Sequence, residues 1–242
     1  MGGSIRCSDC RYDHARHRAG AIGDHGEDSC GLEPGANWFY FLNRAVARLC
    51  CRILFRLRSH GVEKIPSDGA FLLAVNHCSF LDPVLAGISM RRPLAFMARS
   101  TLFRPALMAM ALRGLNALPL EREGVGISGF RAVLDHLAKG GGVLVFPEGT
   151  RSRDGRLGRL KGGVLKLARM ARVPVVPAMV IGSDRALGRG HWIPRPVRVE
   201  IRFGDAIDFL DEQDEEKALT RLRHAMQSLV PEEPGASVNA DA

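Results

Sequence analysis

From about residue 61 the chain alternates short apolar runs with stretches of helical spacing, and this alternation constrains its fold more than any other feature. Residues 71–75 are wholly apolar and read as a buried strand, and 94–98, 143–146 and 173–181 repeat the pattern. Residues 196–203 alternate as a last strand. Between them, Asp82-Pro83 reads as an N-cap with proline at the first helical position, opening a helix toward Ser89. Phe130, Val133, Leu134 and Leu137 have helical spacing that Gly140 halts, and 160–170 reads as a further helix. Leu219, Leu222, Met226 and Leu229 give a final helix before a polar tail at 231–242. Strands separated by helices are carried back to the same edge of a sheet, so they run parallel. The expectation is an α/β domain over 61–230, with a largely parallel, mixed sheet flanked by helices. No internal repeat is visible, and 242 residues suit one such domain.

The N-terminal quarter reads differently. Residues 1–35 are rich in Gly, His, Arg, Asp and Ser without apolar periodicity, which predicts a mobile tail, and no secretory signal is expected because charges run throughout. Cys7 and Cys10 form a C-x-x-C with His14, His17, His25 and Cys30 downstream, but without a second matching pair a metal site is not expected. The remaining cysteines, Cys50, Cys51 and Cys78, do not suggest a disulfide framework, which favours a reducing compartment. Residues 36–60 predict an amphipathic helix. Arg44, Arg48, Arg52 and Arg56, with Arg58 close by, sweep out a basic arc, while Leu42, Val46, Leu49, Ile53 and Leu57 lie largely away from it. Trp38, Phe39, Tyr40 and Phe41 head the segment. With five positive charges and no negative one, it suits a helix resting in an anionic membrane surface. No apolar run is long enough to span a bilayer. A net charge of +8 calls for an anionic partner, and an aromatic content of 6% speaks against single-stranded nucleic acid.

Two polar clusters follow strands directly, where open α/β sheets place their ligands. The first is Asn76-His77-Cys78-Ser79-Phe80-Leu81-Asp82. His77 and Asp82 would diverge on one helix. They meet if His77 stays in the loop and Asp82 caps the helix after it, with one imidazole nitrogen bound and the other free as a base. Taken alone, the pair reads equally as a structural histidine bonded to a cap. The second is Phe146-Pro147-Glu148-Gly149-Thr150-Arg151-Ser152, which joins a carboxylate, a hydroxyl and a guanidinium suited to phosphate. Residues 151–172 then hold eight basic side chains and one acidic one, Asp154.

Together the clusters resemble the signature blocks of the glycerolipid acyltransferase family, the lysophosphatidic acid acyltransferases. Asn76 to Asp82 fits that family's Asn-His-x4-Asp block, and Phe146 to Ser152 matches its Phe-Pro-Glu-Gly-Thr-Arg-Ser block letter for letter. Leu118-Pro119-Leu120-Glu121-Arg122 resembles a third block, and Val173-Pro174-Val175-Val176-Pro177 a fourth. The resemblance spans roughly residues 60–205. It implies acyl transfer from acyl-CoA or acyl carrier protein to the hydroxyl of 1-acylglycerol 3-phosphate, giving phosphatidic acid, with no cofactor beyond the acyl donor. It implies His77 as general base and Asp82 as its orienting partner. Arg122, Glu148, Gly149, Thr150 and Arg151 fall at positions tied to acceptor-phosphate binding and site architecture. Such an enzyme would sit peripherally on the cytoplasmic face of the cell membrane and bind no nucleic acid. The rivals are the same chemistry on another lysophospholipid or lyso-aminolipid, and a non-catalytic binder of anionic lipid or nucleic acid, which would not require the His77/Asp82 pair. Gly124-x-Gly126-x-x-Gly129 fits a dinucleotide fingerprint but follows a charged segment rather than an uninterrupted strand. Cys78 as a nucleophile is disfavoured because adjacent side chains diverge, and no G-x-S-x-G elbow exists. Met97, Met108 and Met110, near Phe103, read equally as an acyl channel lining and as core.

Overall fold

The computed structural model describes residues 38–99, 101, 104–106, 109, 110, 112, 117–120, 127–152, 154–188, 190 and 193–231. The tail cysteines and histidines, Arg122, Gly124 and Gly126, and Phe103 and Met108, lie outside the described residues. Seven strands form one sheet: β1 (Arg58–His60), β2 (Phe71–Val75), β3 (Leu94–Arg99), β4 (Ala117–Leu120), β5 (Gly142–Val145), β6 (Val175–Ile181) and β7 (Glu200–Phe203). Their spatial order is β1-β7-β6-β2-β5-β3-β4. Every neighbouring pair is parallel except β6–β7, so the expected α/β fold with a largely parallel, mixed sheet is the one the chain adopts. β2 lies at the centre between β6 and β5, and all five of its residues are buried, which is why it reads as an unbroken apolar run. At its entry Phe71 pairs in register with Gly142. A Cβ there would lie 2.5 Å from the Phe71 ring, so the small residue makes room for the large one.

Six helices are described: α1 (Trp38–Phe55), α2 (Asp82–Ser89), α3 (Ile127–Ala138), α4 (Gly163–Ala171), α5 (Ser183–Leu187) and α6 (Glu215–Gln227). They divide between two layers. On one face of the sheet, Phe71, Leu73 and Val75 pack with Cys51 and Phe55 of α1 and Leu85 and Ile88 of α2. On the other, Leu72 and Ala74 pack with Val133 of α3, Leu165 of α4 and Leu222 of α6. The period of two in β2 feeds both layers.

Several sequence expectations are corrected. β1 was hidden in the segment read as helix: α1 ends at Phe55 because Arg56 turns left-handed (φ 46°), and Arg58–His60 then pairs with β7. β4 sits at the far edge. The last strand covers only 200–203 and runs antiparallel to β6, and α4 starts at Gly163 rather than Leu160.

The faces of α1 also differ from a simple basic-against-apolar split. At about 100° per residue, Arg44, Ala47, Cys51 and Phe55 share one stripe. It is this stripe that faces the domain, with Arg44 buried and donating from its guanidinium to the Arg91 carbonyl at 2.8 Å. Leu42, Val46, Leu49 and Ile53 lie on the opposite side and are exposed, Ile53 by 73%.

At the strand N-termini, Arg92 is 8% exposed and donates to the carbonyls of Pro66, Gly69 and Gly140 at 2.8–3.0 Å, with its guanidinium 5.1 Å above the Phe71 ring. It thereby joins the entries of β2, β3 and β5. Replacement by methionine keeps the bulk and strips these carbonyls of a charged donor. Arg92→Met is expected to lower stability by about 2–4 kcal/mol, read as a lower urea midpoint with an unchanged slope.

Candidate active site

β2 and β5 are parallel neighbours, so the loops leaving their C-terminal ends emerge side by side. The first carries His77, the second Glu148. His77 stays in the loop, as expected, and its Nδ1 lies 3.0 Å from Asp82 Oδ2. Asp82 takes a different place from the expected N-cap: α2 begins at Asp82 itself, and Leu81 precedes it without a side-chain cap bond. The carboxylate instead reaches back into the loop, where Oδ2 also accepts the backbone N–H groups of Cys78 and Ser79, each at 2.7 Å. With the Asp82 side chain fully buried, this oxygen fixes both the loop and the imidazole. The ring is held from the side by Phe146, stacked at 3.8 Å with 16° between planes. His77 keeps 19% of its side chain exposed, so the edge away from Asp82 faces the solvent side.

The two loops are bonded to each other. Glu148 Oε1 accepts the His77 backbone N–H at 3.0 Å, and Oε2 accepts the Gly158 N–H at 2.8 Å. The Ser152 N–H donates back to the His77 carbonyl at 2.7 Å. Glu148 was expected among the substrate-binding residues; at 4% exposure, with both oxygens taken by backbone, it is a positioning residue. Asn76 makes the same kind of link to the other side, donating to the Val180 carbonyl and accepting the Val180 N–H, so its side chain continues the β2–β6 ladder past the end of β2. Gly149 closes the turn after β5 with its N–H on the Phe146 carbonyl and φ +69°. The positive φ selects glycine, and the flexible Lys161 ammonium lies 2.9 Å from where a Cβ would stand. Thr150 is exposed, and the Arg151 guanidinium lies 3.7 Å over the Phe80 ring. The structure therefore gathers His77, Asp82, Glu148, Gly149, Thr150 and Arg151 at one end of the sheet.

Cys78 is poorly suited to act as a nucleophile. Its thiol is buried, and burial together with the nearby carboxylates of Asp82 and Glu148 pushes it up to about 12. Sequence reasoning passed over Asn76 as a strand-to-strand link, Phe80 as the platform for Arg151, and Lys161. The letters of the first block contain Asn76 and Phe80, but their partners Val180 and Arg151 are distant in sequence. Lys161 was visible only as one charge in a basic run.

A protein-family model described as Acyltransferase matches residues 56–181, from the end of α1 to the end of β6 and including both loops. The chain belongs to the Acyltransferase family. Among curated relatives, the chain is 29% identical over 154 residues to a chloroplastic 1-acyl-sn-glycerol-3-phosphate acyltransferase of Arabidopsis thaliana, covering 62% of this chain and 43% of that one. It is 29% identical over 129 residues to a 1-acyl-sn-glycerol-3-phosphate acyltransferase of Bacillus subtilis, covering 53% and 64%. The chain spans about half the length of the curated relatives it matches. A crystal structure of the 1-acyl-sn-glycerophosphate acyltransferase PlsC of Thermotoga maritima shares the fold, with a TM-score of 0.69, 24% identity and 78% of each chain covered.

A thiol whose pKa is raised from 9.0 to about 12 is almost wholly protonated at pH 8, with about one molecule in 10⁴ ionised. In the folded chain, Cys78 is expected to resist iodoacetamide at pH 8 and to react once the chain is unfolded, as read by peptide mass spectrometry.

Proposed function

We propose that this chain transfers a fatty acyl group from acyl-CoA or acyl carrier protein to the hydroxyl of 1-acylglycerol 3-phosphate, giving phosphatidic acid for phospholipid synthesis. The observation that carries the reading is the hydrogen bond between His77 Nδ1 and the buried Asp82 carboxylate, set at the mouth of the sheet beside the Arg151 loop. With Nδ1–H donating to Asp82, the lone pair of Nε2 points outward and can take a proton. The acceptor hydroxyl gives that proton to Nε2 as its oxygen attacks the thioester carbonyl. The tetrahedral intermediate then collapses and expels the thiolate, which recovers the proton from the imidazolium. Throughout, Asp82 orients the ring and balances its transient charge. No covalent enzyme intermediate is required, in keeping with the burial of Cys78. Arg151 supplies a planar fork for the acceptor phosphate, and Gly149 lets the backbone of that turn approach the substrate. Arg122 is assigned to the acceptor phosphate by family resemblance alone.

We further propose that α1 rests on the cytoplasmic face of the membrane. No helix among the described residues is long and apolar enough to cross a bilayer. Support comes from the exposed ridge of Leu42, Val46, Leu49 and Ile53, flanked by the exposed Arg52 and Arg56. Arginines near an anionic surface contribute about 1 kcal/mol each, and the apolar ridge adds a part that salt does not screen. Arg44, turned inward onto the Arg91 carbonyl, is not among the membrane-facing charges.

His77→Ala is expected to cut kcat by about 10²–10⁴-fold with the fold retained. Release of thiol from acyl-CoA in the presence of a panel of lyso acceptors measures it, and near-normal turnover would refute the general base. Arg151→Lys is expected to raise KM for lysophosphatidic acid more than KM for the donor. Replacing Leu49 and Ile53 with Ser is expected to weaken the salt-resistant part of binding to anionic vesicles. Unaltered sedimentation with vesicles at high salt would show the ridge to be idle.

A further inference from the structure

A cavity of about 390 Å³ opens beside the Glu148 loop, lined by Thr150, Ser152, Arg156, Leu157, Arg159 and Lys161, with Glu148 on its wall. Its three cations are exposed. Among the described residues, Arg159 and Lys161 make no ion pair. Asp154, also on its wall, is occupied locally by the Ser152 hydroxyl at 2.8 Å and the Arg156 N–H at 3.2 Å. A basic concavity this close to a reaction site suits an anion.

Resting on the acyl-transfer reading above, we propose that this cavity binds the phosphate of the phosphopantetheine arm that CoA and acyl carrier protein share.

Three observations carry the assignment. First, the reaction joins two phosphate-bearing substrates, and the site offers two separate sets of cations. Arg151 lies over Phe80 and is not part of the cavity wall, whereas Arg156, Arg159 and Lys161 line it. Glu148 bonds to both segments, with one oxygen on the His77 N–H and the other on the Gly158 N–H.

Second, the two sets belong to opposite layers. Phe146, which stacks on His77, and Leu81 pack against the layer that contains α1 and α2. Leu157 and Leu160 pack with the layer of α3, α4 and α6, and Arg223 of α6 donates to the carbonyls of Leu157 and Gly158. A lipid acceptor arriving by way of α1 reaches the His77 and Arg151 side. The cavity is left to a substrate arriving from water, and a thioester of CoA or carrier protein is such a substrate.

Third, Lys161 links the cavity to the chemistry. Its backbone N–H bonds the Pro147 carbonyl and its ammonium packs over the Gly149 α-carbon, so an anion held there is anchored to the turn that also positions His77. A phosphate at one end of a pantetheine arm and a thioester at the other would then both lie near Glu148.

The test is calorimetric titration of the full chain with CoA, phosphopantetheine and pantetheine, for wild type and for R159Q/K161M. Wild type is expected to bind phosphopantetheine about ten-fold or more tightly than pantetheine, because two charge-assisted hydrogen bonds recognise the phosphate. The double variant is expected to lose that preference while pantetheine binding holds. KM is expected to rise alike for acyl-CoA and acyl carrier protein, and to stay within about two-fold for lysophosphatidic acid. Equal binding of phosphopantetheine and pantetheine by wild type would overturn the proposal, as would a rise in the lysophosphatidic acid KM with donor KM unchanged. A rise confined to acyl-CoA would give the cavity to the nucleotide phosphates instead and also overturn it. If no donor supports thiol release, the acyl-transfer reading fails, and the titrations still report on the cavity. Should R159Q/K161M unfold, R159Q alone, at an exposed position, is read by the same titrations against the same outcomes.

Discussion

The site depends on one nearly buried carboxylate. Glu148 accepts two backbone N–H groups, one from His77 and one from Gly158, and so ties together three segments that would otherwise be independent loops. The bond to His77 fixes the backbone from which the imidazole projects. The bond to Gly158 fixes the floor of the basic cavity. A buried, ionisable group of this kind is stable only when its oxygens are bonded, so removing either partner would leave a costly orphan. The glutamate in the second signature block is thus required by geometry, whichever substrate binds.

Asp82 plays a similar part in the first loop through a single oxygen. One oxygen takes the Cys78 and Ser79 N–H groups as well as the imidazole, so loop shape and histidine orientation cannot change separately. Placing the aspartate at the start of α2 also sets its charge where a helix N-terminus favours it. Asn76 then binds the loop to β6 and Ser79 binds it to the Leu187 carbonyl, which spreads the support across the sheet. On the proposed reading, a base held in this way would meet its substrate without reorganising, a known source of rate enhancement.

The two layers of the fold give the site its sidedness. On one face, α1 packs through Arg44, Ala47, Cys51 and Phe55 and leaves an apolar ridge uncovered. On the other, α4 and α6 hold the basic cavity in place. The proposed reaction between a lipid and a water-soluble thioester would benefit from this division, because each substrate would approach through the environment that already solvates it.

The strand–helix alternation, the central apolar run of β2, and the blocks containing His77, Asp82, Glu148 and Arg151 were all legible in the letters, because each is a local pattern of period, composition or motif. What local patterns omit is contact between distant residues. β1 is three residues long with no apolar signature, and it exists because β7 is beside it. Which stripe of α1 faces the domain is undecided by periodicity; the packing of Ala47, Cys51 and Phe55 and the bond from Arg44 to the Arg91 carbonyl decided it, while Arg52 and Arg56 stay exposed. Glu148 looked like a substrate ligand until its two oxygens were found on the His77 and Gly158 backbones, and Lys161 was one charge among eight until it was found over Gly149. The sequence by itself determined which chemical groups are present and which strands end beside them. Only the tertiary structure decided which groups meet, because hydrogen bonds and burial depend on separations in space that sequence distance does not encode.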